Sequence, residues 1–431
     1  MKRILIALVL ISQIALAQKV DKYITEENVT RVIKTLTADE MMGRSANDEK
    51  SINKAAAFIE SEFKSIGLQP LKGLTGFLQE FLLYEKLEKT SLSVSVDGHA
   101  VPQSDLILYS DEVAIKLGTS SASSQFIDKD KNFRSTVRPL LGDTTSKIVF
   151  VAPEHEKDFR QIQAYLGGDR TIEKGKRKKG TTVFILGNPS AGFAVEAVQK
   201  LTPFKMANVV GMLEGKSKKE ELVVFAGHYD HIGILPAVEG DSIANGADDD
   251  ASGTTAVIEL ARYFKKLKNN ERTLVFVAFT AEEIGGFGSR YFSTQIDADK
   301  VVAMFNIEMI GKPSKWGQNS AFITGYERSD FGEILQKNLA GTPFQFKPDP
   351  YPEQNLFYRS DNATLARLGV PAHTISTDEI DIDKLYHSVN DEVESLNMKN
   401  ITSTIKAIAL SSKSIVDGAD TPKRIDKSTV K

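Results

Sequence analysis

Apolar and polar positions divide the chain into three stretches with different rhythms. Across residues 26–67, EENVTRVIKTLTADEMMGRSANDEKSINKAAAFIESEFKSIG, apolar residues recur at helical spacing. Ile52, Ala55, Ala56, Ile59 and Phe63 share one face, and Gly67 is a stop signal. This predicts two amphipathic helices split at the Gly-Arg-Ser turn. From about 90 to 205 the rhythm shortens. SLSVSV and IVFVAP alternate as strands do, between the solvated loops TSSASSQ and EKGKRKKG. From about 206 the pattern becomes strand, helix, strand. VVGMLEG, ELVVFAG, TLVFVAFT, VVAMFNIEMI and AHTIST are apolar runs of strand length. GTTAVIELARYFKKL is a helix with Val257, Leu260, Ala261 and Phe264 on one side. Near-continuous apolar strands alternating with helices predict an α/β domain: a mixed, mostly parallel central sheet flanked by helices. The expected divisions are 18–90, helical and part of that domain; 91–205, an inserted smaller β-rich domain; and 206–418, the main domain. The closing helix is NITSTIKAIALSSKSIV, and residues 419–431 form a polar tail expected to fray.

Composition adds two exclusions. The 431 residues are 41% hydrophobic and 26% charged, with 54 basic against 57 acidic side chains. That is an ordinary globular balance without the basic bias of a nucleic-acid or membrane-surface protein. The first residues, MKRILIALVLISQIALAQ, have a basic head, an apolar core and Ala15-Leu16-Ala17. This is the layout of a signal peptide over 1–17, and its apolar run is shorter than the ~20 residues of a spanning helix. The chain has no cysteine, so a lipid anchor through cysteine, disulfides and thiol chemistry are excluded. The expected location is exported, periplasmic or secreted, with no membrane span after signal cleavage.

The candidate chemistry lies where apolar strands end. ELVVFAG is followed by His228, Asp230 and His231, and the long helix is preceded by Asp248, Asp249 and Asp250. Glu282 and Glu283 follow TLVFVAFT, Glu308 lies in VVAMFNIEMI, and LYHSVND carries Tyr386, His387 and Asp391. Ligands of open α/β sheets gather outside the carboxyl ends of the strands. So much negative charge in one place calls for a cation. Carboxylate and imidazole donors without cysteine suit zinc, or less specifically manganese or cobalt. The donor types allow two ions bridged by a carboxylate, about 3.5–4 Å apart, activating a shared water for attack on a carbonyl carbon. Asp230, two residues beyond His228 on an extended chain, is the candidate outer partner that aims this imidazole.

FAGHYDHIG, NGADDDASG, FTAEEIGGFGS, FNIEMIG, RSDN and YHSVND, in this order over residues 225–391, resemble the zinc peptidases of family M28, which include leucyl-type aminopeptidases. The N-terminal helices with MMGR resemble the family's opening. The insert sits where many members carry a protease-associated domain, although its own sequence matches weakly. The resemblance implies the phosphorylase/hydrolase-like fold of zinc exopeptidases and two Zn2+ ions per chain. His228 and Glu308 would hold one ion, Glu283 and His387 the other, and Asp249 would bridge them. Glu282 would be the general base, and Tyr386 would donate to the developing oxyanion. Position 308 departs from the family's usual aspartate by one methylene. The resemblance also implies a cis peptide at Asp249-Asp250 and a rim-orienting role for Asp361, for which a helix cap is the alternative. His231 is read as a brace for its loop, His373 as a buried strand residue, and His99 and His155 as surface residues.

The expected function is therefore an exported zinc-dependent exopeptidase that removes N-terminal residues from peptides. The alternatives are an M28-type carboxypeptidase, a glutaminyl-cyclase-like transferase with one zinc, and a non-catalytic binding protein on the same fold. The acidic run TDEIDID, 377–383, favours recognition of an amine. Oligomeric state and substrate side chain are not encoded in any motif.

Overall fold

The computed structural model describes residues 20–431, so the signal-peptide segment lies outside the described residues. The chain divides into two compact units, one formed by residues up to 80 with 206–431 and the other by 81–205.

In the larger unit, α1 (Glu26–Leu36) and α2 (Glu49–Ile66) are the two predicted amphipathic helices. Thr25 caps the first, Asp48 caps the second, and Gly67 ends α2 at φ 80°. The strands are β1 (Phe193–Leu213, of which 206–213 fall in this unit) and β2 (Lys218–His228). After α3 (Gly253–Leu267) comes β3 (Arg272–Phe279), and after α4 (Phe287–Gln295) comes β4 (Val301–Ile307). Then follow β5 (Ser320–Ile323), β6 (Gln345–Pro348), β7 (Ala372–Ser376) and α5 (Met398–Ser411). Their spatial order is β6-β5-β7-β4-β2-β3-β1. β2 runs parallel to β3 and β4, and β4 parallel to β7; β1 and β5 join antiparallel. The sheet is mixed with a parallel centre, as the apolar runs predict.

Period-two alternation explains why those runs are apolar throughout. Val223, Phe225, Leu274, Phe276 and Phe305 face one buried layer with α1, α2, α3 and α5. Val224, Ala226, Val275, Val277 and Met304 face the other. From β2 the chain goes first to β3 on one side and then to β4 on the other. The direction of winding therefore reverses at β2, and the carboxyl end of β2 is the topological switch point, where ligands of such sheets bind.

Two expectations are corrected here. The tail is not frayed. Ile425 is 3% exposed within the second layer, and Arg424 donates to the carbonyls of Ala298 and Val301 at 3.0 and 2.8 Å. Arg272 also donates to the Asp420 carbonyl and Arg367 to that of Lys431, each at 2.7 Å, so contacts across the fold seat this polar segment. The insert, expected over 91–205, comprises 81–205 and carries two helices beside its strands. Its four-stranded sheet orders Leu106–Ser110, Thr181–Leu186, Lys147–Val151 and Ser123–Ile127, and the last three run parallel. Parallel neighbours need crossovers, which the helices Phe133–Leu141 and Glu156–Leu166 supply, packing Phe133, Val137 and Phe159 on Val149 and Phe184. His99 is exposed, whereas His155 is half-buried and stacks on Phe133 with centroids 5.5 Å apart.

His373 is the buried strand histidine expected. Its Nδ1 donates to the Thr324 carbonyl at 2.9 Å, Ser329 Oγ lies 2.7 Å from Nε2, and Phe331 stacks on the ring. Burial pushes its pKa down to about 4. Between about 4 and the ordinary 6.5 the unfolded chain binds a proton that the folded chain refuses, so stability falls as pH drops through this window. The shift corresponds to about 3 kcal/mol. We expect His373→Gln to flatten the acid limb of the stability curve between pH 7 and 4.5 in chemical denaturation. An unchanged slope would show that the ring carries no such penalty.

Candidate active site

Each candidate side chain sits on a backbone segment that leaves the sheet. His228 ends β2 and is 1% exposed. Its backbone N–H donates to Asp250 Oδ2 at 3.1 Å, and its carbonyl accepts from Thr254 Oγ1 at 2.7 Å. Its Nδ1 donates to the carbonyl of Asp230 at 3.1 Å, which turns Nε2 towards Asp249 Oδ1 at 3.2 Å. Asp230 thus aims His228 through its backbone, because its carboxylate, 3.8 Å away, is engaged elsewhere. The Asp230 carboxylate accepts the backbone N–H groups of Glu282 and Glu283 at 3.1 and 3.3 Å. It ties the end of β2 to the glutamate loop after β3.

Asp249 lies between two imidazoles. Oδ1 faces His228, and Oδ2 lies 3.2 Å from His387 Nε2. Glu283 Oε2 is 3.0 Å from the same His387 nitrogen, and Glu283 Oε1 is 2.8 Å from His231 Nδ1. His231, Asp249 and Glu283 each offer a potential ligand atom within 4.8 Å of the others. The His231 Nδ1–H, however, is given to Glu283, which makes His231 a brace for that carboxylate. The peptide Asp249-Asp250 is cis.

Three carboxylates hold this constellation in place from behind. Asp250 Oδ1 accepts from the backbone of Gly253 and Met309 at 3.0 and 3.1 Å, linking β2, α3 and β4. Asp248 Oδ1 accepts the Gly311 N–H at 2.7 Å. Asp391 accepts the N–H groups of Asp248 and Asp249, each at 3.0 Å. Asp391 belongs to a motif visible in the sequence, but its acceptor role crosses more than 140 residues and has no local signal. Gly253 shows why small residues crowd here, since a Cβ would meet the Ile307 carbonyl and the Asp250 carboxylate.

Glu308 follows β4, and Glu282 adjoins Glu283. Burial, before any neighbour, raises Glu308 to about 7. Burial also lifts Glu282 well above the carboxylate range, with the Glu308, Asp361 and Glu283 charges adding to it against His228. Asp361 makes no side-chain cap bond to its helix, Asn362–Ala366. Burial raises it to about 6, and the His228 charge opposes this, which puts it within electrostatic reach of the site. Tyr386 stacks on His387 with centroids 3.9 Å apart. Burial and then the Asp249 carboxylate raise its phenol, so it remains a donor.

This donor set, imidazoles and carboxylates without a thiol, suits a divalent cation such as zinc. His228 Nε2 is buried without a hydrogen-bond partner, and one carboxylate, Asp249, offers an oxygen to each imidazole. Burial first and then neighbouring carboxylates raise Glu282, Glu308 and Asp250, whereas the surrounding imidazoles hold Asp249 and Glu283 low; a bound cation favours the ionised form of all of them.

Residues 208–411 match the sequence profile described as Peptidase family M28. A probable zinc metalloprotease of Leptosphaeria maculans is 33% identical over 111 residues, 25% of each protein. A probable leucine aminopeptidase of Arthroderma otae is 29% identical over 226 residues, 49% of this chain and 58% of the relative. The chain thus spans well under two thirds of the length of these curated relatives. Among solved structures, an aminopeptidase from Aneurinibacillus sp. strain AM-1 superposes with TM-score 0.59 at 18% identity, over 96% of this chain and 98% of its own. A zinc aminopeptidase from Bacillus subtilis gives 0.61 at 15%, over 92% and 97%. These likenesses establish the shared mixed α/β fold.

Proposed function

We propose that this chain, whose residues 208–411 belong to peptidase family M28, is an exported zinc-dependent aminopeptidase acting through two metal ions. The observation that carries the reading is the placement of Asp249, with one carboxylate oxygen 3.2 Å from His228 Nε2 and the other 3.2 Å from His387 Nε2. His228, Asp249 and Glu308 would hold one zinc, and Asp249, Glu283 and His387 the other. When bound, the ions supply Lewis acidity for the scissile carbonyl and a lowered pKa for the attacking water.

The remaining work falls to the protein. Glu282 is proposed to accept the proton of the attacking water and return it to the leaving amine. Its backbone is fixed by Asp230, so the side chain needs little reorganisation. Tyr386, kept protonated, would donate to the tetrahedral oxyanion. Asp230, Asp250 and Asp391 hold the loops, and His231 orients Glu283. Names of relatives that specify leucine aminopeptidase and zinc support this reading.

The test is metal content coupled to terminal-residue release. Purified protein should bind two zinc ions, release N-terminal residues from short peptides, lose that activity on chelation, and recover it with zinc. One tightly held ion with cyclisation of N-terminal glutamine would favour the transferase. Release from the carboxyl terminus would favour the carboxypeptidase.

A further inference from the structure

We infer that the cleft beside this centre is a side-chain pocket for a basic N-terminal residue, with Asp378 receiving the lysine ammonium or arginine guanidinium. The inference rests on the aminopeptidase reading and narrows its substrate class.

The cleft holds about 460 Å³ of space, its open mouth included, and Glu308, Met309 and Tyr386 bring it to the proposed metal site. Thr374, Ser376 and Asp378, alternate residues along β7 and the chain beyond it, also line it. Alternation puts side chains two apart on one face. Register orders them: the Glu308 N–H donates to the Ile375 carbonyl, and the Thr377 N–H to the Met309 carbonyl. Asp378 is therefore three residues beyond the level of Glu308, roughly 10 Å along an extended chain. A substrate's α-ammonium, two bonds from the scissile carbon, stays at the Glu308 end. A four-carbon lysine stem or an arginine arm spans most of that length. Met309, Phe322, Leu356 and Ile380 supply apolar wall, the surface on which such stems lie.

Asp378 is 3% exposed, and no N–H or hydroxyl donor reaches its carboxylate oxygens, whose side-chain contact is with the Asp383 carboxylate. A buried polar group in that condition is costly. Asp378, Asp248 and Asp383 each present an oxygen within 4.8 Å of the others. The cation among them, Lys312, is already paired with Asp248 at 3.3 Å and Asp383 at 2.6 Å. Three carboxyl groups thus share one ammonium, and Asp378 is the one of the three that lines the cleft. Lys312 also argues against a metal ion there. Arg359, the cation on the cleft lining, acts on Tyr386, whereas Asp248, Asp383 and Lys312 are the charges that act on Asp378. Burial and these two aspartates raise Asp378 to about 9, so it is held as a neutral acid against Asp383, and a substrate cation would favour its ionised form.

The experiment compares kcat/KM for lysyl and norleucyl dipeptides, which differ only in the terminal ammonium, using the zinc-loaded full chain. Wild type should favour lysine at least about tenfold, the worth of a charge-assisted over a neutral contact. Asp378→Asn should bring the ratio down by about the same factor, and Asp381→Asn, in the same acidic run, should leave it. A wild-type ratio near one, or a ratio insensitive to Asp378→Asn, overturns the inference even where peptides are cleaved. Hydrolysis of neither dipeptide would count against the peptidase reading, and calorimetric binding of lysinamide against norleucinamide then judges the pocket alone. Preference for lysinamide that Asp378→Asn removes sustains it, and equal binding overturns it.

Discussion

Glu282→Gln is expected to lower kcat by at least about a hundredfold and up to about ten-thousandfold, the range of general acid–base catalysis, with two zinc ions still bound. The substitution keeps the side chain's shape and removes only its ability to take a proton. Glu282 is not among the proposed ligands, and its backbone tie to Asp230 does not depend on its side chain. Burial and the Glu308, Asp361 and Glu283 charges make an ionised Glu282 expensive in the folded protein, so a neutral amide should not destabilise it. The contrast is Glu283→Gln, which should lower zinc content as well, because Glu283 lies 3.0 Å from His387 Nε2. Initial rates, metal analysis and the unfolding midpoint separate the two. Glu282→Gln activity within a few fold of wild type, or a loss that follows loss of zinc, would remove Glu282 from the role of base.

The parts of this site that could be read from the sequence are those tied to strand ends. Apolar runs announce β2, β3 and β4, and the acids and imidazoles that follow each run are adjacent in the chain to the element that positions them. His228, Glu283 and Glu308 are legible for that reason. Contacts made across the fold are not. Asp391 receives the N–H groups of Asp248 and Asp249 from more than 140 residues away. Asp230 serves His228 by its carbonyl and Glu282 by its carboxylate, a division that depends on chain direction rather than on composition. Asp378 belongs to TDEIDID, whose acidity favours recognition of an amine, but only the fold shows which of its acids is buried. The insert's helices were hidden by brevity. Phe133–Leu141 has nine residues with Pro139 inside, too few turns for a helical period to stand out against its flanking strands.

Arg44, in the MMGR segment before α2, illustrates the same limit with the larger consequence for stability. It is fully buried, and its guanidinium donates to four backbone carbonyls: Tyr229 at 2.8 Å, Leu36 at 2.8 Å, Asn245 at 2.5 Å and Gly246 at 2.9 Å. Burial lowers its pKa, against the attraction of Asp391, Asp230, Asp249 and Asp250, and an arginine keeps its charge through such a shift. One side chain thus joins the end of α1 to the loop after β2 and to the loop that carries Asp249. Arg44→Met would leave the carbonyls of Tyr229, Leu36 and Asn245 without this donor, Gly246 keeping the Ala251 N–H at 3.2 Å, and would remove one cation from the neighbourhood of four carboxylates. Each orphaned group costs about 1–3 kcal/mol and loss of a buried charge partner about 3–5 kcal/mol, so a destabilisation of at least about 4 kcal/mol is expected. Arg44→Lys should recover only part of it, because an ammonium cannot serve carbonyls arranged around a planar fork. Urea denaturation of the zinc-free protein reads this directly as a lower midpoint at unchanged slope. A midpoint for Arg44→Met within about 1 kcal/mol of wild type would mean that water or a backbone shift satisfies those carbonyls, and that the loops bearing Asp230 and Asp249 are held without the clasp.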